Sequence, residues 1–401
     1  MNASSALPPA GGAPRHFAGR IALLFCAPLI LNGFAMPYFP VWLRSLSLSD
    51  VEIGIVLSTA LFIRVLTAPV AGLIADRIGE RANVLVWTAA LALVSAVLLL
   101  FTGSFLPVLI VYTLQSAFFA PYVPIVEAIA LTGVRRWRFD YGRMRFGGSI
   151  AFIAANMVGG VLIGIVGGAM VVPAIVVGTV LMLAMALFAP RVGRPRRPSP
   201  VATLTQAPPR ALRKLDLQLL MVGVTMINGS HAMLFAFSAI HWQAIGFGGT
   251  EIGLLWSAGV ASEVVMFLCA RRMLRRFSLW SMMATGSCLA ALRWILFPLD
   301  PGFAGFFVLQ CFHAFTFAIM HAAMQNKLVQ QVPEEQEGAA QGLYFFYNGG
   351  FLALFTLLSG VLYERFGVEG FYGMSLIVCI GAGFVLCARL VERRDRAMAM
   401  A

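Results

Sequence analysis

The sequence predicts an all-α integral membrane protein with about twelve transmembrane helices in two six-helix bundles. Three observations predict it. First, hydrophobic residues make up 60% of the 401 and charged residues only 11%, far short of the polar surface a soluble chain of this length needs. Second, apolar runs of roughly 20 residues recur from Ile21 to Leu390, each long enough to cross a hydrocarbon core of about 30 Å at about 1.5 Å per residue. They are continuous rather than alternating, which argues for helices and against an outer-membrane barrel. Third, one segment occurs twice: Glu52-Ile53-Gly54 and Glu251-Ile252-Gly253 open two apolar runs 199 residues apart, and 12 positions beyond each Glu stands an ionisable residue, Arg64 in one copy and Glu263 in the other. A half-length repeat in so apolar a chain indicates a duplicated membrane bundle. An ionisable residue inside each copy indicates a working site.

In chain order, residues 1–19 are rich in Ala, Pro and Gly and are expected to form a disordered cytoplasmic N-terminus. The first span, 21–43, contains Pro28, Asn32, Pro37 and Pro40 and leads directly into the second, 51–75, so it is a membrane helix and not a cleaved signal peptide. Spans 83–103, 106–132, 146–168 and 170–189 complete the first bundle, 20–189. The stretch 190–215 carries Pro190, Pro195, Pro198, Pro200, Pro208 and Pro209 among Arg191, Arg194, Arg196 and Arg197. It cannot continue a helix and is basic enough to lie along an inner leaflet. Spans 217–242, 250–270, 279–298, 302–325, 338–362 and 369–390 make the second bundle, 216–391, followed by a cytoplasmic tail, 392–401.

The net charge of +12 comes almost wholly from arginine. In a soluble protein it would suggest nucleic acid. Here the basic residues cluster between alternate spans, with Arg77 and Arg81, Arg135, Arg136 and Arg138, and Arg271, Arg272, Arg275 and Arg276 on one side, and little beyond Arg44 and Arg365 on the other. By the positive-inside rule this places both termini in the cytoplasm, in an inner membrane, with no nucleic-acid partner. The six cysteines (Cys26, Cys269, Cys288, Cys311, Cys379 and Cys387) lie in or beside apolar spans and read as packing residues, not disulfides or metal ligands.

Between spans two and three runs Gly72-Leu-Ile-Ala-Asp76-Arg77-Ile-Gly79-Glu80-Arg81. It resembles the cytoplasmic loop signature of the major facilitator superfamily, Gly-x-x-x-Asp-Arg-x-Gly-x-Arg. That resemblance implies a conformational latch built from Gly72, Asp76, Arg77, Gly79 and Arg81, in the superfamily's fold of two six-helix bundles. The physics agrees: Gly79 permits a tight turn, Gly72 permits close helix approach, and Asp76 can accept bonds from a helix N-terminus or an arginine. The equivalent loop of the second half, Arg271-Arg272-Met-Leu-Arg275-Arg276, lacks the acid and the glycines.

Further motifs are Asp140-Tyr-Gly-Arg143-Met-Arg145-Phe-Gly-Gly-Ser149; Gly229-Ser230-His231-Ala232 with Phe237-Ser-Ala-Ile-His241-Trp242-Gln243; Ser262-Glu263-Val264; Arg293-Trp294; and Gln310-Cys-Phe-His313-Ala-Phe-Thr316-Phe317 with His321 beyond. Together this set resembles the phenylpropionate permease branch of the superfamily from about Pro37 to span eleven. The resemblance implies proton-coupled import of aromatic acids such as 3-phenylpropionate, by alternating access and without a cofactor. Span five also lacks the proline of the Gly-Pro-x-x-Gly-Gly kink usual in the superfamily's drug exporters, which argues against efflux.

A central charged residue costs about 2.5–3.5 kcal/mol on insertion scales, so such residues are expected to face the bundle interior. Arg64 lies near the middle of span two and Glu263 near the middle of span eight, at depths matched by the repeat, so they can meet only across a central cavity, directly or through substrate. Arg64 is the candidate for binding a substrate carboxylate. Glu263 is the candidate proton carrier, because an uncharged carboxyl is far cheaper to bury than a carboxylate. Arg293, toward the outer half of span nine, is about 9 Å shallower than Glu263 at about 1.5 Å per residue. That is too far for a direct pair without tilt and leaves it as a possible ion pair holding span nine to seven or eight. Glu127 and His231 are further candidates for substrate binding. His313 and His321 are candidate proton relays, about 80° apart on an α-helix. Tyr38 and Trp42, with Phe34, Phe39, Tyr122, Phe235, Phe237 and Trp256, supply an aromatic lining suited to an aromatic acid.

The reading is a secondary transporter that moves a small organic anion with protons and works as a monomer. A nucleoside, sugar or drug carrier, in either direction, is the alternative within transport. A non-transporting sensor is the alternative outside it. No Walker-type phosphate loop is present, nor a nucleophile–base or metal constellation, so neither ATP drive nor catalysis is expected.

Overall fold

The computed structural model describes residues 12–78, 80–193, 210–333 and 336–400, and among them there is helix but no strand. Eleven stretches are long and apolar enough to cross a membrane, and the last, Glu337–Asp395, is 59 residues long. It holds two helices joined by a 3₁₀ turn at Gly367–Gly370, so the described residues make twelve crossings, with the start of α1 and the end of α15 on the same side.

The crossings are α1 (Phe17–Ser45), α2 (Asp50–Ile78), α3 (Arg81–Leu99), α4 (Phe105–Phe119) with α5 (Tyr122–Trp137), α6 (Tyr141–Val166) and α7 (Val171–Leu187). The second half repeats the pattern with α8 (Leu215–Gly229) and α9 (Ala232–Ala244), α10 (Gly249–Arg276), α11 (Leu279–Leu296), α12 (Gly302–Cys311) and α13 (Met320–Gln331), α14 (Glu337–Phe366) and α15 (Phe371–Met400). The 194–209 part of the inter-bundle stretch lies outside the described residues, as do Gly79 and the side chain of Asp76.

Three crossings are broken, each for a local reason. Span four breaks at Pro121, which lacks an amide N–H and cannot continue the α4 ladder. Span seven breaks at Ser230 and His231, where the His231 amide bonds back only three residues to the Asn228 carbonyl. Span ten widens into a π turn over Ala314–Ile319, directly after His313. π turns are frequent at functional sites, and these breaks free backbone groups at mid-membrane depth, where only protein or a water-filled cavity can satisfy them.

The halves meet at the end opposite the termini. Cβ atoms cannot be accommodated there: one on Gly54 of α2 would lie 2.9 Å from the Gly360 backbone of α14, and one on Gly160 of α6 would run into the Gly249 carbonyl of α10. The Val51 amide donates to the Glu364 carboxylate at 2.9 Å, and Arg44 pairs with Asp50 beside it. α2 and α14 run antiparallel with Gly54 opposite Gly360 and Val65 opposite Gly349, a register that sets Gly72 against Gly342. Neither of these last two has any heavy atom within 4 Å of a Cβ position. The helix pair therefore splays apart toward the end that carries the termini. No close helix approach is made at Gly72 in this conformation.

Candidate functional site

The richest polar cluster in the membrane interior lies in the second half, where the breaks in spans seven and ten face each other. His231 is fully buried. Its Nδ1 lies 3.0 Å from the Asn228 carbonyl oxygen, which can only accept, so Nδ1 carries the proton. In the neutral ring Nε2 is then an acceptor, and the Thr316 hydroxyl, 2.9 Å away, donates to it. Arg293 in turn donates to Thr316 Oγ1 at 3.4 Å. The three groups form one directed chain that ends on a backbone carbonyl.

Arg293 is itself fully buried. It donates to Gln310 Oε1 and stacks over the Trp294 ring at 4.8 Å, while Trp294 Nε1 donates to Ser230 at 2.9 Å. Among the described residues Arg293 forms no ion pair, unlike the pairing expected from sequence. Its partners are neutral oxygens on span ten, not a carboxylate on span seven or eight, because the nearby acid lies deeper and is engaged elsewhere. Glu263 Oε2 lies 3.4 Å from His313 Nε2. The other ring nitrogen of His313 is buried without a partner, and the ring packs at 5.2 Å against His231.

His321, beyond the π turn, lies 3.4 Å from the Tyr344 hydroxyl. That hydroxyl accepts from Asn228 Nδ2 at 3.3 Å. Asn228 thus links His231 to His321. The 80° offset expected for His313 and His321 assumes an unbroken α-helix, and the π turn between them alters that rotation.

The first half holds Arg64 differently. Its guanidinium donates to Ser116 Oγ at 3.3 Å and lies over the Phe119 ring at 5.3 Å. Its Nε is buried and unpartnered, and among the described residues no carboxylate pairs with it. Leu31, Asn32, Ala35, Tyr112, Gln115, Phe119 and Ile175 enclose with it a cavity of about 10 Å³, room for one water molecule. Arg64 and Glu263 remain in separate halves and do not touch.

Glu127 lies 3.7 Å from Arg145 and accepts from the Tyr141 hydroxyl at 3.4 Å, away from Arg64. Tyr38 is buried with its hydroxyl 3.2 Å from the Asn156 carbonyl, and Trp42 packs on Phe39 at 5.3 Å. Both sit among helix contacts near the closed end. Of the loop signature, Arg81 donates to the Ala128 carbonyl and Thr132 hydroxyl of α5, both at 3.4 Å, and Arg77 is exposed on the last turn of α2. Among the described residues no cluster of His, Cys, Asp or Glu is arranged to hold a metal.

Asn228, Thr316, Gln310, Tyr344 and Ser116 join the two clusters although the sequence assigns none of them a role. Asn228 and Gln310, as amides inside apolar runs, gave a signal that could have been followed. Ser116 and Tyr344 are ordinary in membrane helices and gave none.

A model of the family described as "MFS_1 like family" matches residues 24–374. The chain is 27% identical, over 89% of its length and 94% of the relative's, to the "probable 3-phenylpropionic acid transporter" of Escherichia coli strain K12. It is 24% identical, over 91% and 92%, to the maltose permease of Geobacillus stearothermophilus. Among solved structures it is similar to the nucleoside transporter NupG, with a TM-score of 0.81 at 14% identity over 94% of this chain and 99% of that one. It is also similar to a bacterial homologue of the lysosomal transporter Spinster in an inward-facing, occupied conformation, with a TM-score of 0.77 at 13% identity over 96% and 99%.

Proposed function

The chain belongs to the MFS_1 like family, and from that premise we propose that it is a proton-coupled importer of a small aromatic carboxylate, 3-phenylpropionate or a close relative. It would work by alternating access as a monomer in the inner membrane, with both termini in the cytoplasm and without cofactor or metal.

One observation carries the reading: Arg64 is a guanidinium inside a membrane span that no carboxylate among the described residues neutralises. A half-buried cation without a counter-ion inside a membrane span is costly, and an incoming carboxylate is the group that would relieve it, flanked by the Phe119 ring and the Tyr112 and Ser116 hydroxyls.

The second cluster supplies the proton logic. Arg293 and an ionised Glu263 together balance. Protonating Glu263 leaves the buried region one positive charge in excess, which favours a bound anion, and releasing the proton removes that preference. Proton and anion are thereby coupled through charge balance without having to meet. In this reading His313, 3.4 Å from Glu263, passes the proton to it, and His321 passes it onward. The 27% identity to the Escherichia coli relative supports the substrate class. Carriage of a neutral sugar, which the maltose permease likeness would suggest, leaves Arg64 uncompensated. Tyr38 and Trp42 remain assigned to substrate binding in a state where the closed end has opened, Glu127 and His231 keep the same assignment at their own levels, and the loop signature remains assigned to latching the end opposite the closed one.

The test is binding of 3-phenylpropionate and of maltose to the purified protein, by thermal shift. Stabilisation by the acid, rising with falling pH, is expected. Stabilisation by maltose alone overturns the substrate class.

A further inference from the structure

The terminal end of α10 carries Arg272, Arg275 and Arg276, and with Leu268 and Cys269 these line an open cavity of about 450 Å³. Among the described residues none of the three guanidinium groups has a hydrogen-bond or ion-pair partner. Four other basic residues of this end are engaged: Arg81 with Thr132, Arg136 with the Val192 carbonyl, Arg20 with the Phe188 carbonyl and Lys327 with Glu392. Setting the orientation of the chain needs basic residues near the membrane, but it does not need three of them converging unpaired on one cavity.

The rest of that face is apolar. Val265 is 60% exposed and Leu268 75% exposed. At about 100° per residue, positions 265, 268, 272, 275 and 276 fall within an arc of about 100° on α10. One stripe therefore runs from exposed hydrocarbon to a triad of cations over about three turns of helix, where the membrane gives way to its headgroups. A soluble anion has no use for the apolar part, and an acyl chain has none for the cations. A molecule with both fits the whole stripe.

We propose that this face is a binding site for an anionic phospholipid of the leaflet at the terminal end, its phosphate held by Arg272, Arg275 and Arg276 and an acyl chain lying along Leu268 and Val265. This goes beyond the transport reading and stands whatever the substrate is.

Cys269 is exposed within the cavity and reports its occupancy in the unaltered protein. The protein is placed in phosphatidylcholine nanodiscs with or without phosphatidylglycerol. Maleimide labelling of Cys269 is followed by peptide mass spectrometry, with two small water-soluble thiols, glutathione and N-acetylcysteine, in the same sample as references. Phosphatidylglycerol is expected to slow Cys269 by about tenfold relative to the references, and that protection is expected to weaken as salt rises from about 0.05 to about 0.5 M. In the triple variant Arg272→Gln, Arg275→Gln, Arg276→Gln the protection should vanish. Equal labelling in the two lipids overturns the proposal, as does protection that survives the triple substitution or ignores salt. Equal protection by inorganic phosphate in phosphatidylcholine discs assigns the site to a soluble anion and overturns the lipid. If the triple variant does not insert, the lipid, phosphate and salt arms on the unaltered protein decide alone.

Discussion

Arg64 and Arg293 are both arginines inside apolar spans, and their surroundings separate their roles. Arg293 is walled in by Gln310, Thr316 and Trp294, so truncating it strands buried acceptors. Arg293→Ala should lower stability by about 1–3 kcal/mol, read as a fall in thermal midpoint without ligand. Arg64 has an unpartnered nitrogen and a neighbouring cavity. Arg64→Ala should leave that midpoint nearly unchanged while weakening acid binding at least about tenfold, the worth of one charge-assisted hydrogen bond of about 1.5–3 kcal/mol. If the two variants show the reverse pattern, the binding and structural roles are exchanged. Thr316→Val removes the hydroxyl between Arg293 and His231 and leaves two buried nitrogens short of a partner. It should cost about 1–2 kcal/mol by the same principle, and an unchanged midpoint would mean that the directed chain contributes nothing.

At the scale of elements, the contacts between halves depend on glycine. A side chain at Gly160 would meet the Gly249 backbone of α10, and backbone cannot swing aside as a side chain can. Gly160→Leu should therefore hold the closed end open. Hydrogen exchange in peptides covering 156–164 and 249–256 should rise, while peptides of α3 and α11 stay as they were. Unchanged exchange across the first pair would show that the seam is not what closes this end. The sequence made the twelve crossings legible, because about 20 apolar residues in a row admit few alternatives. It also placed Arg64 and Glu263 at matched depth, because a duplication preserves position. It did not reveal where spans break. Pro121 was a visible cue for span four, but the π turn after His313 follows from side chains on other helices that no local pattern encodes. The Gly72 approach was legible as a possibility only. A transporter has more than one conformation, and here the helices α2 and α14 have parted at that level.

For the whole molecule, the two halves divide the chemistry. The first carries Arg64 without a carboxylate partner among the described residues and the second carries Glu263 beside His313, and the two meet through the glycine seam at the end where α2 begins. Opening and closing about that seam would expose both sites to one side of the membrane and then the other, with charge balance deciding which loads move together. The account therefore rests on Glu263 carrying the proton that drives a carboxylate held by Arg64. The most direct measurement is uptake of labelled 3-phenylpropionate into proteoliposomes with an inward proton gradient, for the unaltered protein and for Glu263→Gln. The unaltered protein should accumulate the acid, and Glu263→Gln should exchange it down its gradient but not accumulate it. Gradient-driven accumulation by Glu263→Gln equal to that of the unaltered protein would contradict the account.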